Sequence, residues 1–247
     1  MLFNSFEFIC IFFPLVTGLY FLLPHRWRWL LLLVASCWFY MTFVPVYILI
    51  LAFTIGVDYF AGLWIERSEG RKRKLLLTAS IIANVGVLAF FKYFNFLNES
   101  IAEVVRGLGF HYGVPDLGIL LPIGLSFHTF QSLSYTIEVY RRNHPAERRL
   151  GIFALYVMFY PQLVAGPIER PQALLPQFHA RRRFNADDFQ YGLTRMAFGF
   201  FKKVVVADRL APYVDAVYAD IPGSNGLTIL VATVFFAVQI YCDFSGY

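Results

Sequence analysis

The sequence predicts an all-α integral membrane protein, a multi-span helical bundle with a re-entrant segment and an amphipathic cytoplasmic-side helix. Three observations predict it. Hydrophobic residues make up 58% of the 247 residues and charged residues only 15%, against roughly 45–50% apolar in a soluble domain. A single soluble core of this size buries only about three quarters of its chain's surface, too little to hide so much apolar area. The basic residues are also grouped: 15 of the 21 Lys and Arg lie in 25–29, 66–74, 141–149 and 170–183. Short basic loops between apolar runs are what membrane topogenesis produces. The net charge of +5 therefore does not point to nucleic acid, since no aromatic-basic interleaving in a polar domain accompanies it.

A crossing helix needs about 20 apolar residues. The expected spans are 8–23, 30–43, 46–65, 75–96 and 117–140, within a single membrane domain over 1–247. The first is stopped by Pro24 and HRWRW, whose Trp27 and Trp29 suit the interface. The second and third are separated by a turn at Val44-Pro45, the third and fourth by ERSEGRKRK. The fifth carries Pro122, Gly124 and several hydroxyls. With HRWRW in the cytoplasm, every basic loop between these spans falls on the same side and the N-terminus lies outside.

The run 151–168 breaks that parity, because crossing there would export Arg170 and Arg181–Arg183. It also contains YPQLVAGP, whose prolines interrupt a continuous helix. It is expected to be re-entrant, since irregular backbone at membrane depth survives only when buried in protein or lining a cavity. Residues 189–210 carry Arg195, Lys202, Lys203, Asp208 and Arg209, too many charges for a lipid-facing centre, and are expected to form the amphipathic helix. A last helix begins at 227. The stretch 170–183 reads as a loop. Cys10, Cys37 and Cys242 lie in apolar runs without metal-ligand spacing, and no histidine cluster suggests a metal. MLFNSFEF lacks a signal peptide's basic start and cleavage site, so the first run reads as retained.

Polar residues at depth are the functional candidates. His128, Gln131, Ser132 and Tyr135 share one helical face by their i, i+3, i+4 and i+7 spacing. That face suits either a channel-lining base at His128 or hydrogen-bonded packing between helices. Asp58 is expected to pair with a basic side chain from a neighbouring helix. No Walker loop, GxSxG or HExxH is present. The residues alone fit a transporter and an intramembrane transferase equally.

Three stretches tip that balance: LPIGLSFHTFQSLSYTIEVYR (121–141), FYPQLVAGPIERPQALLPQF (159–178) and QIYCDFSGY (239–247). In order and spacing they resemble the membrane-bound O-acyltransferase family, nearest to its bacterial alginate O-acetylating branch, and the resemblance extends through MLFNSFEF and LAFFKYFNF. It implies a funnel-shaped bundle in the bacterial inner membrane that binds no cofactor. The acyl donor would be a cytoplasmic thioester, acetyl-CoA in this branch. The acceptor would be a hydroxyl of an extracytoplasmic polysaccharide, reached through periplasmic acetylation partners. The family's catalytic histidine lies in a tryptophan-histidine element beyond CDFSGY. No catalytic residue is therefore expected in 1–247, which read as an N-terminal fragment without activity of its own. His128, Gln131, Gln162, Glu169, Arg170, Asp243 and Ser245 are the expected funnel-lining residues. His128 stands where the family commonly has an aromatic residue, so it is not assigned as catalyst. Arg181–Arg183 suit either the phosphates of coenzyme A or plain topogenic charge. The alternative, a transporter or flippase for a small anion or lipid-linked sugar, would be expected to show pseudo-repeated halves, and none is visible.

Overall fold

The computed structural model describes residues 1–111, 113–115, 122, 124–163 and 166–246. The beginning of the expected fifth span (117–121 and 123), Val164–Ala165 within YPQLVAGP, and Tyr247 lie outside the described residues. All regular structure among those described is helical. The chain is an all-α, multi-pass membrane protein. It divides into two compact units, one of residues 23–164 and 168–181, the other of 1–22, 165–167 and 182–247.

The first unit contains α2 (His25–Met41), α3 (Ile48–Arg67), α4 (Gly70–Gly107), α5 (Leu125–Tyr140), α6 (Leu150–Met158) and α7 (Pro171–His179). α4 shows most plainly what solvent it was built for. Its apolar Leu75, Ile82 and Phe96 are 65–68% exposed, while Arg73, Ser80 and Asn84 are 0–7% exposed. Polar groups face inward because lipid cannot hydrogen-bond them. At 38 residues α4 is about 57 Å long, so it projects well beyond a hydrocarbon core of about 30 Å. α3 and its preceding turn, α4 and α10 (Gly226–Gly246) are each long and apolar enough to cross a membrane.

α3, α4 and α5 meet around Asp58. Its carboxylate accepts from Ser80 Oγ (2.5 Å), from Asn84 Nδ2 (2.8 and 2.9 Å) and from Ser132 Oγ. All four residues are essentially inaccessible. The expected basic partner is thus replaced by three neutral donors from two neighbouring helices. The close approach of α3 to α5 needs Gly62, where a Cβ would stand 2.8 Å from the Tyr135 ring.

The basic loop after α5 is tied down at both ends. The Arg73 guanidinium donates to the Val139 and Tyr140 carbonyls at 2.9 and 2.6 Å, satisfying the orphan acceptors of α5's last turn. Glu66 accepts from the Ala146 amide at 2.9 Å and pairs with Arg148. The Tyr59 hydroxyl donates to the Arg148 carbonyl at 2.7 Å.

α6 has nine residues and spans about 14 Å, less than half the hydrocarbon thickness. A tight turn, Tyr160–Gln162, follows it, and Arg170, in extended backbone, precedes α7. The stretch 170–183 is not the uninterrupted loop its charges suggested. Pro171 occupies the first turn of α7, where its missing N–H costs nothing, and Leu174 and Leu175 give the helix a buried face.

The second unit contains a run of wide turns at Glu7–Phe12 leading into α1 (Phe13–Leu22), then α8 (Ala186–Phe200), a second wide-turned run at Phe201–Ala207, α9 (Asp208–Ala219) and α10. α10 packs on α8, α9 and the wide turns between them. Asn185 caps α8 by accepting from the Asp187 amide at 3.0 Å.

Replacing Asp58 by Ala removes the shared acceptor of Ser80, Asn84 and Ser132, although Asn84 Nδ2 keeps its bond to the Ser80 carbonyl at 2.9 Å; each buried donor left unpaired costs about 1–3 kcal/mol. Asp58→Ala is expected to cost about 3–5 kcal/mol in a micelle unfolding titration. A midpoint equal to wild type would show that the cluster does not hold the helices.

Candidate functional site

Five of the seven expected funnel residues lie in the first unit. His128 sits in the first turn of α5, 3% exposed. Its Nδ1 lies 3.1 Å from the Val157 carbonyl. A carbonyl can only accept, so Nδ1 carries the proton and Nε2 of the neutral ring is an acceptor. The bond also satisfies a carbonyl in the last turn of α6, which has no intrahelical partner.

One turn further along α5, buried Gln131 donates through Nε2 to Gln162 Oε1 at 3.4 Å. Tyr156 of α6 completes the junction. Its hydroxyl lies 3.1 Å from Ser134 Oγ and donates to the Glu169 carbonyl at 2.8 Å. Glu169 thus enters through its backbone rather than its carboxylate. Arg170 is exposed and precedes α7, whose first turn hydrogen-bonds to its carbonyl. His128, Gln131, Gln162 and Glu169 are thereby drawn onto one junction of α5, α6 and the segment after α6, with Arg170 at its exposed edge. Gly124 makes the junction possible. Its φ of +74° is a left-handed conformation that favours glycine, and a Cβ there would run into the Leu163 carbonyl oxygen.

Asp243 and Ser245 lie in the second unit, in the last turns of α10. Lys203 pairs with Asp243 at 2.6 Å and with Asp208 at 2.8 Å. Lys202 Nζ lies 3.3 Å from Ser245 Oγ. Burial works against the charge on Lys203, but the two carboxylates outweigh it and hold the ammonium above its ordinary range. Lys203 and Asp208 were legible only as charges too costly for lipid, not as partners. The missing signal is the wide turn, in which the Asp208 amide bonds back five residues to the Lys203 carbonyl. Gly246 lies against this element, where a Cβ would stand 3.0 Å from the Gly199 carbonyl.

Among the described residues no three His, Cys, Asp or Glu side chains come together as metal ligands. Nor does either cluster place a hydroxyl or thiol nucleophile against a base in the manner of a triad. What the first unit offers is neutral hydrogen bonding in a water-poor interior, and what the second offers is a charge-paired helix junction.

A polar-cored, lipid-facing helical protein of this kind is an integral membrane protein. Comparison with known proteins narrows the class. No family model matches the chain. The probable alginate O-acetylase AlgI of Azotobacter vinelandii is 41% identical over 249 residues, covering the whole chain and 49% of that protein. Its Pseudomonas aeruginosa counterpart is 40% identical over 251 residues, covering the whole chain and 47% of that protein. The peptidoglycan O-acetyltransferase of Helicobacter pylori is 29% identical over 283 residues, covering the whole chain and 52% of it. The chain spans about half the length of the curated relatives it matches.

Lys203→Met removes the one cation between two carboxylates and is expected to lower the unfolding midpoint by about 1–3 kcal/mol equivalent, with Lys203→Arg recovering most of it. Thermal unfolding of detergent-solubilised variants measures this. Equal midpoints for all three proteins would rule out the pairing as a structural clasp.

Proposed function

We propose that the protein is a membrane O-acetyltransferase that acetylates an exported polysaccharide such as alginate. The observation that carries this reading is the alignment of the whole chain, at 37–41% identity, with proteins named alginate O-acetylase. The transporter reading has no support among these relatives. The match to the peptidoglycan O-acetyltransferase is weaker at 29%, so alginate-type glycan is favoured over cell wall as acceptor.

In this reading the protein sits in the bacterial inner membrane with its N-terminus outside and its basic loops in the cytoplasm. The spans are those expected from the sequence, and the short α6 with its following turn supports 151–168 as the re-entrant element. The donor is acetyl-CoA approaching from the cytoplasm, and periplasmic partners carry the acetyl group onward. The chemistry is attack of a hydroxyl oxygen on the thioester carbonyl, loss of the coenzyme thiolate and passage of the hydroxyl proton to that sulfur. His128, Gln131, Gln162, Glu169 and Arg170 contribute polar lining. Asp243 and Ser245 fix the end of α10.

Deleting the gene should remove ester-linked acetate from the exported polysaccharide while leaving polymer yield intact, and re-expression should restore it. Acetate released by mild base measures this. Unchanged acetate would reject the reading, and lost polymer export with normal acetylation of the residual chains would favour transport.

A further inference from the structure

We propose that His128 Nε2 forms the centre of a binding position for a single hydroxyl group, the acceptor alcohol of the reaction, between α2, α5 and the end of α6. The identity of that alcohol rests on the acetyltransferase reading above; the hydroxyl-binding chemistry does not.

Three buried polar atoms in this region have no hydrogen-bond partner: His128 Nε2, Thr129 Oγ1 and Tyr40 Oη. Their residues are 2–3% exposed. The Tyr40 ring packs edge-on against the imidazole, with centroids 5.9 Å apart and planes at 87°, and Thr129 is the next residue along α5. An unpaired buried polar atom costs about 1–3 kcal/mol, so Nε2, with the Tyr40 ring packed beside it, calls for a partner.

Their chemistry specifies it. Nδ1 of His128 is committed to the Val157 carbonyl, which leaves Nε2 as an acceptor. Tyr40 and Thr129 each have a hydroxyl proton to give. An acceptor nitrogen complements a group with a proton to give, and the smallest such group is a hydroxyl, of an alcohol or a water. No charged side chain is hydrogen-bonded to any of the three residues, so neither a carboxylate nor an ammonium is matched. Gly124 keeps the place open: a Cβ there would stand 3.3 Å from Nε2.

Depth agrees with an acceptor arriving from outside. His128 is 12 residues before Tyr140, which leads into the basic loop. That distance is about 18 Å along the helix. With the basic loop in the cytoplasm, His128 lies towards the outer half of the bilayer, on the acceptor's side. His128 is therefore assigned to binding and choice of acceptor, not to catalysis.

The test uses the intact protein in native membranes with His128→Phe and His128→Gln, measuring acetyl transfer against acceptor concentration, donor concentration and thermal unfolding. Binding of the acceptor predicts that His128→Phe raises the acceptor KM about tenfold, the value of one good hydrogen bond. The donor KM should stay unchanged, and His128→Gln should recover part of the loss. If the occupant is a water, His128→Phe leaves both KM values unchanged while shifting the unfolding midpoint relative to His128→Gln. A His128→Phe protein equal to wild type in acceptor KM and midpoint, or one altered only in donor KM, overturns the proposal. If wild-type membranes transfer no acetyl group, the functional reading fails by itself, and the unfolding comparison still judges the hydroxyl position.

Discussion

Lipid cannot satisfy a hydrogen-bonding group, and in the first unit this constraint is sharpest at Asp58. A carboxylate removed from water must find its partners inside the protein. Here they are Ser80 and Asn84 of α4 and Ser132 of α5. Their geometry fixes three things together: which face of α4 turns inward, how close α5 comes to α3, and the vertical register of the three helices. A hydrophobic seam could slide by a turn at little cost, because lipid tails and leucines are equally apolar. The Asp58 cluster cannot slide without stranding a donor. The inverted character of α4, polar inside and apolar outside, follows from the same requirement.

The requirement recurs wherever the backbone leaves a helix. The end of α6 and the turn after it expose amides and carbonyls that no helix satisfies. Side chains supply what is missing: His128 donates to the Val157 carbonyl, Ser36 Oγ accepts from the Tyr160 amide at 3.1 Å, and Tyr156 donates to the Glu169 carbonyl. The irregular stretch is thereby stabilised by protein on α2, α5 and α6, the condition under which non-helical backbone is tolerated at membrane depth. The polar face of α5 has two duties along its length. Ser132 serves the Asp58 cluster, while His128 and Gln131 serve the turn.

What could be read in the sequence is what depends on local pattern. Apolar run lengths, basic loops and the i, i+3, i+4, i+7 face of α5 are periodicities within one segment, and a carboxylate at position 58 is visible as an anomaly. Its partners were not legible, because Ser80, Asn84 and Ser132 stand 22, 26 and 74 residues away and carry no charge to advertise the pairing. The expectation of a basic partner applied Coulomb's law where neutral donors serve with no second charge to desolvate. α7 was hidden because the basic residues bracketing it dominated the reading, although Pro171 followed by Leu174 and Leu175 is a helix start with an apolar face. The pairing of Lys203 with Asp208 depends on wide turns, which spacing rules for an ordinary helix do not anticipate.

The two polar centres also differ in a way that bears on chemistry. Lys203 is shared by Asp208 and Asp243, so their interaction is spent on joining α10 to the element before α9. At the junction of α5 with the end of α6, the side chains of His128, Gln131, Gln162 and Tyr156 form neutral hydrogen bonds. A site lined this way does not attract a charged substrate from water. It can orient a neutral polar group through hydrogen bonds. What such a junction can recognise rests on the uncharged donors and acceptors that the helices turn away from lipid.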